Sequence, residues 1–293
     1  MKPYASYQVQ CVQNPLLYQA PNYLAILETN LKMIIFELTK AGSRINQCSE
    51  LSKNFELDKL IGNLIDTFFE ANIALNLYLG EKENGDLYFE KQKDNWNADY
   101  ELKLQLRKKI ESEYQDSGNF GNYEEINYKV EIEFKKSMWA KGRVPSGLKH
   151  KLIFIHAKTF LFALDNFEKQ FKKLLEDEII PKSCDHLYSR FIENFPNLKE
   201  LRNSAHHHED RIRGEKYGKK INLKPVSNGF IHAPNGGVLI INSLNGNNYG
   251  GTLGDGTFGE VEVSFESMSK LQSIIQEFLN SLIWEGGKEH LPR

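Results

Sequence analysis

Cysteine is scarce in this chain. Its 293 residues hold three, Cys11, Cys48 and Cys184, far apart and in no Cys-x-x-Cys pair. So sparse and odd a set excludes a disulfide framework and points to the reduced thiols of a cytosolic protein. Long apolar runs are missing too: none reaches the roughly 18 uncharged residues that a membrane-spanning helix needs. The stretch MKPYASYQVQCVQNPLLYQAP lacks the apolar centre of a secretory signal. The expectation is a cytoplasmic protein with no membrane partner. Nor does one sign of charge dominate, because 37 Lys and Arg stand against 39 Asp and Glu, a formal net charge of −2. No global basic field draws nucleic acid in, so any such contact must come from a local patch. His-Glu-x-x-His is absent, as is the Gly-Lys-Ser/Thr of a phosphate loop.

What is present is ordinary for a soluble globular chain, with 40% hydrophobic and 26% charged residues, and aromatics are plentiful at 18 Phe and 13 Tyr. The length allows one large domain or two modest ones. Residues 1–21 read as an irregular lead-in with prolines at 3, 15 and 21. From Asn22 the apolar residues Leu24, Leu27, Leu31, Ile34, Ile35 and Leu38 recur at helical spacing, and Gly42 stops the run. A second helix fits Asp58 to Leu79, with Gly80 as its stop. Residues 81–97 read as a polar connector that includes a short Leu87–Phe89 strand. Helices follow over Ala98–Tyr114 and 123–140, the latter favoured over a strand by its length. The longest helical pattern runs from Ser146 to Ile179, with Leu148, Leu152, Ile155, Phe160, Phe167 and Phe171 in its stripe. Pro181 closes it. A helix over Cys184–Asn194 ends at Pro196, and another starts near Asn197 with Leu198, Leu201, Ala205 and Ile212 as its buried stripe.

Composition then shifts. Nine of the 21 glycines fall between Ser227 and Gly259. HAPNGGVLIIN, SLNGNNYGG and LGDGTFGEVEVSF read as short strands joined by Asn-Gly and Asp-Gly turns, hence an antiparallel meander of three or four strands over 226–265. Gly251, Gly254 and Gly256 do not suit a phosphate loop, because a strand and not a helix N-terminus follows them. A last amphipathic helix spans Ser267–Trp284. The predicted fold is mainly α, a helical bundle with a small β-meander inserted before the C-terminal helix, organised as 1–21, a helical region 22–145 and a helical region 146–293.

The chemistry-bearing stretch is LKELRNSAHHHEDRIRGEKYG, Leu198 to Gly218. Its bland reading is a solvated helix face. Three consecutive histidines cannot face one ion, since neighbours on a helix point about 100° apart, so no metal is expected. His156, on an apolar face, reads as a core histidine satisfied by one hydrogen bond. Arg and His together suit RNA cleavage without a metal. A near-neutral imidazole can take the proton of a ribose 2′-OH or give one to the leaving 5′-oxygen. A guanidinium fork can hold the charge that builds on phosphorus.

RNSAHH, Arg202 to His207, resembles the Arg-Asn-x-x-x-His form of the Rx4–6H motif of HEPN domains (higher eukaryotes and prokaryotes nucleotide-binding). The resemblance implies an all-helical bundle, over about Lys149–Arg213, and a metal-independent endoribonuclease of the toxin or abortive-infection kind. By that resemblance Arg202 binds phosphate, His207 acts as general acid or base, and Asn203 is the polar residue beside them; His208 fits a looser spacing. It implies RNA as partner, no cofactor, a homodimer, and an antitoxin or defence-system partner. Glu209 stands where the toxin subgroup paired with a nucleotidyltransferase carries tyrosine, which sets the chain apart from that subgroup. On an unbroken helix Arg202 shares a face with His206 but lies about 140° from His207, and dimerisation would bring offset residues together. Two other readings stay open: a non-catalytic helical module binding nucleotide, RNA or protein, and a metal-dependent hydrolase built on the histidine run.

Overall fold

The structure, a computed structural model, describes residues 33–94, 96–118 and 121–293, with backbone only over 84–94. The expected lead-in, and the expected helix up to residue 32, lie outside these residues. The described residues divide into two compact units, one within Lys103–Arg143, the other comprising 33–102 and Val144–Arg293. Both are mainly helical where described, and small antiparallel sheets accompany the helices of the second.

The described part of the first unit is a helical hairpin. It comprises the Lys103–Asp116 part of one helix and a second helix, Tyr123–Ala140, both at the places the sequence predicts. Gly118, at φ +67°, turns the chain between them. Asn122 caps the second helix by accepting from the Glu125 N–H at 2.8 Å. Ile110, Val130 and Met138 are buried, and Lys103 pairs with Glu131.

The larger unit opens with β1 (Leu38–Lys40) and β2 (Arg44–Ile45), followed by α1 (Leu51–Asp94) and the start of α2 (Trp96–Asp116). With the Tyr123–Ala140 helix as α3, it continues through α4 (Ser146–Leu175), α5 (Asp185–Asn194), α6 (Leu198–His206) and α7 (His208–Ile212). Short strand pairs come next: β3 (Glu215–Lys216) with β4 (Lys219–Lys220), and β5 (Val226–Ser227) with β6 (His232–Ala233). Then β7 (Ser243–Asn245), β8 (Asn248–Thr252) and β9 (Phe258–Glu262) form a three-stranded antiparallel meander. The chain ends with α8 (Phe265–Asn280), β10 (Trp284–Glu285) and β11 (Glu289–Leu291).

The core lies where α1 and α4 pack together, closed by α5, α6 and α8. Leu64, Phe68 and Leu75 of α1 meet Phe160, Leu164, Phe167 and Phe171 of α4, all fully enclosed. Phe171 stands edge-on to Phe278 of α8 at 5.3 Å, and Phe167 stacks on Phe191 of α5 at 5.8 Å. Each such side chain contributes roughly 1.5–3 kcal/mol by leaving water. The meander lays Tyr249 and Val261 against α6, completing that core.

Several expectations are corrected. Residues 33–40 are extended, not helical, because α1 captures their backbone. Asn76 Oδ1 accepts from Ile34 N–H at 2.7 Å, Asn72 Oδ1 from Phe36 N–H at 3.1 Å, and both Nδ2 groups donate to Ile34 O. β1 then pairs with β11 and β2 with β10, so α8 is followed by strands and is not the last element. Gly80 does not stop α1. The helix continues through it to Asp94, over the predicted connector and the predicted Leu87–Phe89 strand. One glycine costs only about 1 kcal/mol, and the Lys- and Glu-rich stretch that follows favours helix. α4 ends at Leu175, and its buried face centres on Ala157, Phe160, Leu161 and Leu164, leaving Leu148 and Ile155 exposed. The predicted helix from Asn197 through Ile212 is broken at His207, and Ile212 is 59% exposed.

Candidate functional site

α6 starts after Pro196 and is fixed by Leu198 and Leu201, which enter the core. That orientation divides its polar residues between two sides. Lys199, Asn203 and His207 recur at four-residue intervals and so share a face. Arg202 belongs to another face, toward α4. There its Nε lies 2.9 Å from Asp165 Oδ1, an ion pair whose geometry is not that of an aligned hydrogen bond. Asp165 is buried and also receives Lys169 Nζ at 2.6 Å. The Arg202 side chain is 18% exposed, and no other partner holds its guanidinium among the described residues.

His207 joins α6 to α7. Its φ of −92° and ψ of 52° leave the helical region, yet the ladder is carried across it. The His207 N–H donates to Asn203 O at 3.0 Å, and the Arg211 N–H donates to His207 O at 3.1 Å. Gly214, at φ +67°, ends α7. The imidazole is 45% exposed, with Nδ1 3.7 Å from Glu209 Oε1 and the His206 ring edge-on at 5.1 Å. Glu209 is held below the usual carboxylate range by its own backbone N–H, with the charge of His207 adding to the effect.

His207 and Asn203 open on a cleft of about 220 Å³, walled on the other side by Arg211, Lys216 and Tyr217. Arg202 does not line it. The structure therefore brings Asn203 and His207 together and leaves Arg202 apart from them within one chain. His208 faces elsewhere, into a cavity of about 20 Å³ beside Asn242 and Thr252. Its Nδ1 is buried without a partner, and such a cavity has room for one bridging water.

Two features of the cleft were not read from the sequence. Arg211 is buried, its Nε donating to Ser204 Oγ at 3.1 Å and its Nη1 to Glu215 O at 2.6 Å. The first bond ties α7 back to α6 and the second ties it to the β3–β4 hairpin. The hairpin is the second missed feature. The signal for both was the basic run after Asp210. Among the described residues no group of three His, Cys, Asp or Glu side chains is placed to hold a metal ion. His156 also departs from expectation: it is half-buried and makes no hydrogen bond among the described residues. Burial pushes its imidazole pKa down, opposed by Glu81. Cys48 and Cys184 are free thiols, and Cys11 lies outside the described residues.

No family model, curated protein or solved structure matches this chain. No helix among the described residues is long and apolar enough to cross a membrane.

Proposed function

We propose that the chain is an HEPN-like endoribonuclease that needs no metal ion, of the kind that serves toxins and phage-defence effectors. The observation that carries this reading is His207, half-exposed at a helix break and sharing with Asn203 a cleft walled by Arg211 and Lys216. His207 takes the proton from a ribose 2′-OH or returns one to the leaving oxygen. The 2′-oxygen bonds to phosphorus as the bond from phosphorus to the 5′-oxygen breaks. Asn203 hydrogen-bonds the phosphate beside it. Arg202 serves the same phosphate from a second copy of the chain. Asp165 fixes its Nε, and the Nη edge is left to face the partner's cleft. Two copies related by a twofold axis thus supply both groups to one phosphodiester. An antitoxin or defence-system partner would restrain such an activity.

The engagement of Arg202 with Asp165 favours a second reading, a non-catalytic helical module that binds nucleotide, RNA or protein. Incubating the full chain with single-stranded RNA in EDTA separates the two. The nuclease reading expects products ending in 2′,3′-cyclic phosphate and 5′-OH. Intact RNA would leave the binding module, and cuts bearing 5′-phosphate would contradict attack by the 2′-OH.

A further inference from the structure

The β3–β4 hairpin is an unusual piece of surface. Lys216 pairs with Lys219 and Glu215 with Lys220, and the two-residue loop between them is Tyr217–Gly218. Both loop residues have positive φ, 52° and 72°. Such a turn favours Asn and Gly, and a tyrosine there is strained. No burial compensates, because Tyr217 is 80% exposed. The hairpin is nevertheless rigidly seated. Arg211 Nη1 donates to Glu215 O, Lys220 Nζ donates to Arg213 O at 2.9 Å, and the Ile221 N–H donates to Gly214 O at 2.8 Å.

Charge gathers at the same place. Six of the fourteen residues 211–224 are Lys or Arg and one, Glu215, is acidic, in a chain of formal net charge −2. The hairpin also joins two clefts. Lys216 and Tyr217 wall both the His207 cleft and a second one, of about 310 Å³, that reaches Lys219, Lys220 and the Gly254–Asp255 turn. That turn is seated on the segment that follows the hairpin, with the Lys224 N–H donating to Gly256 O at 2.9 Å. A Cβ on Gly256, whose φ is +87°, would lie 1.9 Å from Asn222 O, so only glycine allows this approach.

An exposed aromatic ring on a rigid turn, flanked by lysines and bordering a cleft with an imidazole, matches the two demands of single-stranded RNA. Unpaired bases stack on aromatic faces, and the backbone seeks positive charge. We propose that the Glu215–Lys220 hairpin is the substrate platform, on which single-stranded RNA stacks a base on Tyr217 and delivers the adjoining phosphate to His207. Lys216 and Lys219 meet phosphates on either side of the stacked base. The inference rests on the endoribonuclease reading and gives its substrate class.

The test uses the full chain and fluorescein-labelled 2′-O-methyl decauridylate, whose capped 2′-oxygens cannot attack, so anisotropy reads binding apart from cleavage. Tyr217→Asn removes the ring but suits the turn better. It should weaken binding at least about fivefold while melting no lower than the parent. Tyr217→Phe should bind within about twofold of the parent, because the stacking face is kept. Lys219→Ala should reduce the slope of log affinity against log salt by about 0.7. The same oligomer annealed to decaadenylate should bind more weakly, with no effect of Tyr217→Asn. No binding by the parent, equal binding by Tyr217→Asn, or a preference for the duplex would each overturn the platform. If these variants behave as expected while all-ribose RNA stays uncut, the platform stands and the catalytic reading falls.

Discussion

His207→Ala is expected to lower RNA cleavage by about 10²–10⁴-fold, the range removed with a general acid or base. Its melting temperature should stay close to that of the parent. The imidazole is 45% exposed, and its contacts are a 3.7 Å approach to Glu209 and the edge of the His206 ring. The helix break is held by backbone bonds from His207 N–H to Asn203 O and from Arg211 N–H to His207 O, which alanine keeps. Exposed substitutions of this kind usually change stability by less than about 0.5 kcal/mol. His208→Ala separates the neighbouring histidines, since His208 faces the small cavity under β8 and not the cleft. It should alter stability more than cleavage. Cleavage by His207→Ala at the parental rate would remove His207 from the chemistry.

The second large effect concerns stability. Asp165 is buried on α4 and holds Arg202 of α6 and Lys169 of its own helix. Asp165→Ala strands a guanidinium that is only 18% exposed and removes the polar tie between the two helices. Breaking a buried pair from one side typically costs about 3–5 kcal/mol. Because Arg202 keeps some access to water, a loss of about 2–4 kcal/mol is expected, which lowers the melting temperature by roughly 5–15 °C. Asp165→Asn keeps the shape and a polar oxygen beside the guanidinium, so it should lose less. Thermal unfolding of the two variants beside the parent gives the comparison. Equal melting of all three would mean that the pair does not anchor α6, and the fixed orientation assigned to Arg202 would have no support.

Much of this architecture was legible in the sequence where determinants are local. α4 and α8 follow from apolar stripes at helical spacing, and α5 from the stretch that Pro196 closes. The meander over β7–β9 follows from its turn chemistry, with Gly246 at φ +62° in the loop between β7 and β8, but residues 234–242, read as one of its strands, form none, and β5 and β6 make a separate pair. What was misread depends on partners far along the chain. Residues 33–40 carry a helical pattern, but the side chains of Asn72 and Asn76 hold them extended. The continuation of α1 past Gly80 rests on helix-favouring charged residues that looked like a linker. At the site, helical spacing already set Arg202 apart from His207, and the structure keeps them apart within one chain. The break at His207 was not visible, because no proline or glycine marks it and the bonds from His207 N–H to Asn203 O and from Arg211 N–H to His207 O carry the chain across it. Nor was the attachment of Arg202 to Asp165, since that carboxylate lies on a different helix.

The account turns on a guanidinium and an imidazole from two copies serving one phosphate. Mixing two single-site variants tests this most directly. Arg202→Gln keeps His207, and His207→Ala keeps Arg202, so each alone should be inactive. After the two are unfolded and refolded together, about half the dimers pair one variant with the other, and each of these regains one complete site. The account predicts the return of about a quarter of the parent's cleavage in EDTA. A mixture as inactive as its components, with mixed dimers demonstrably present, would contradict it.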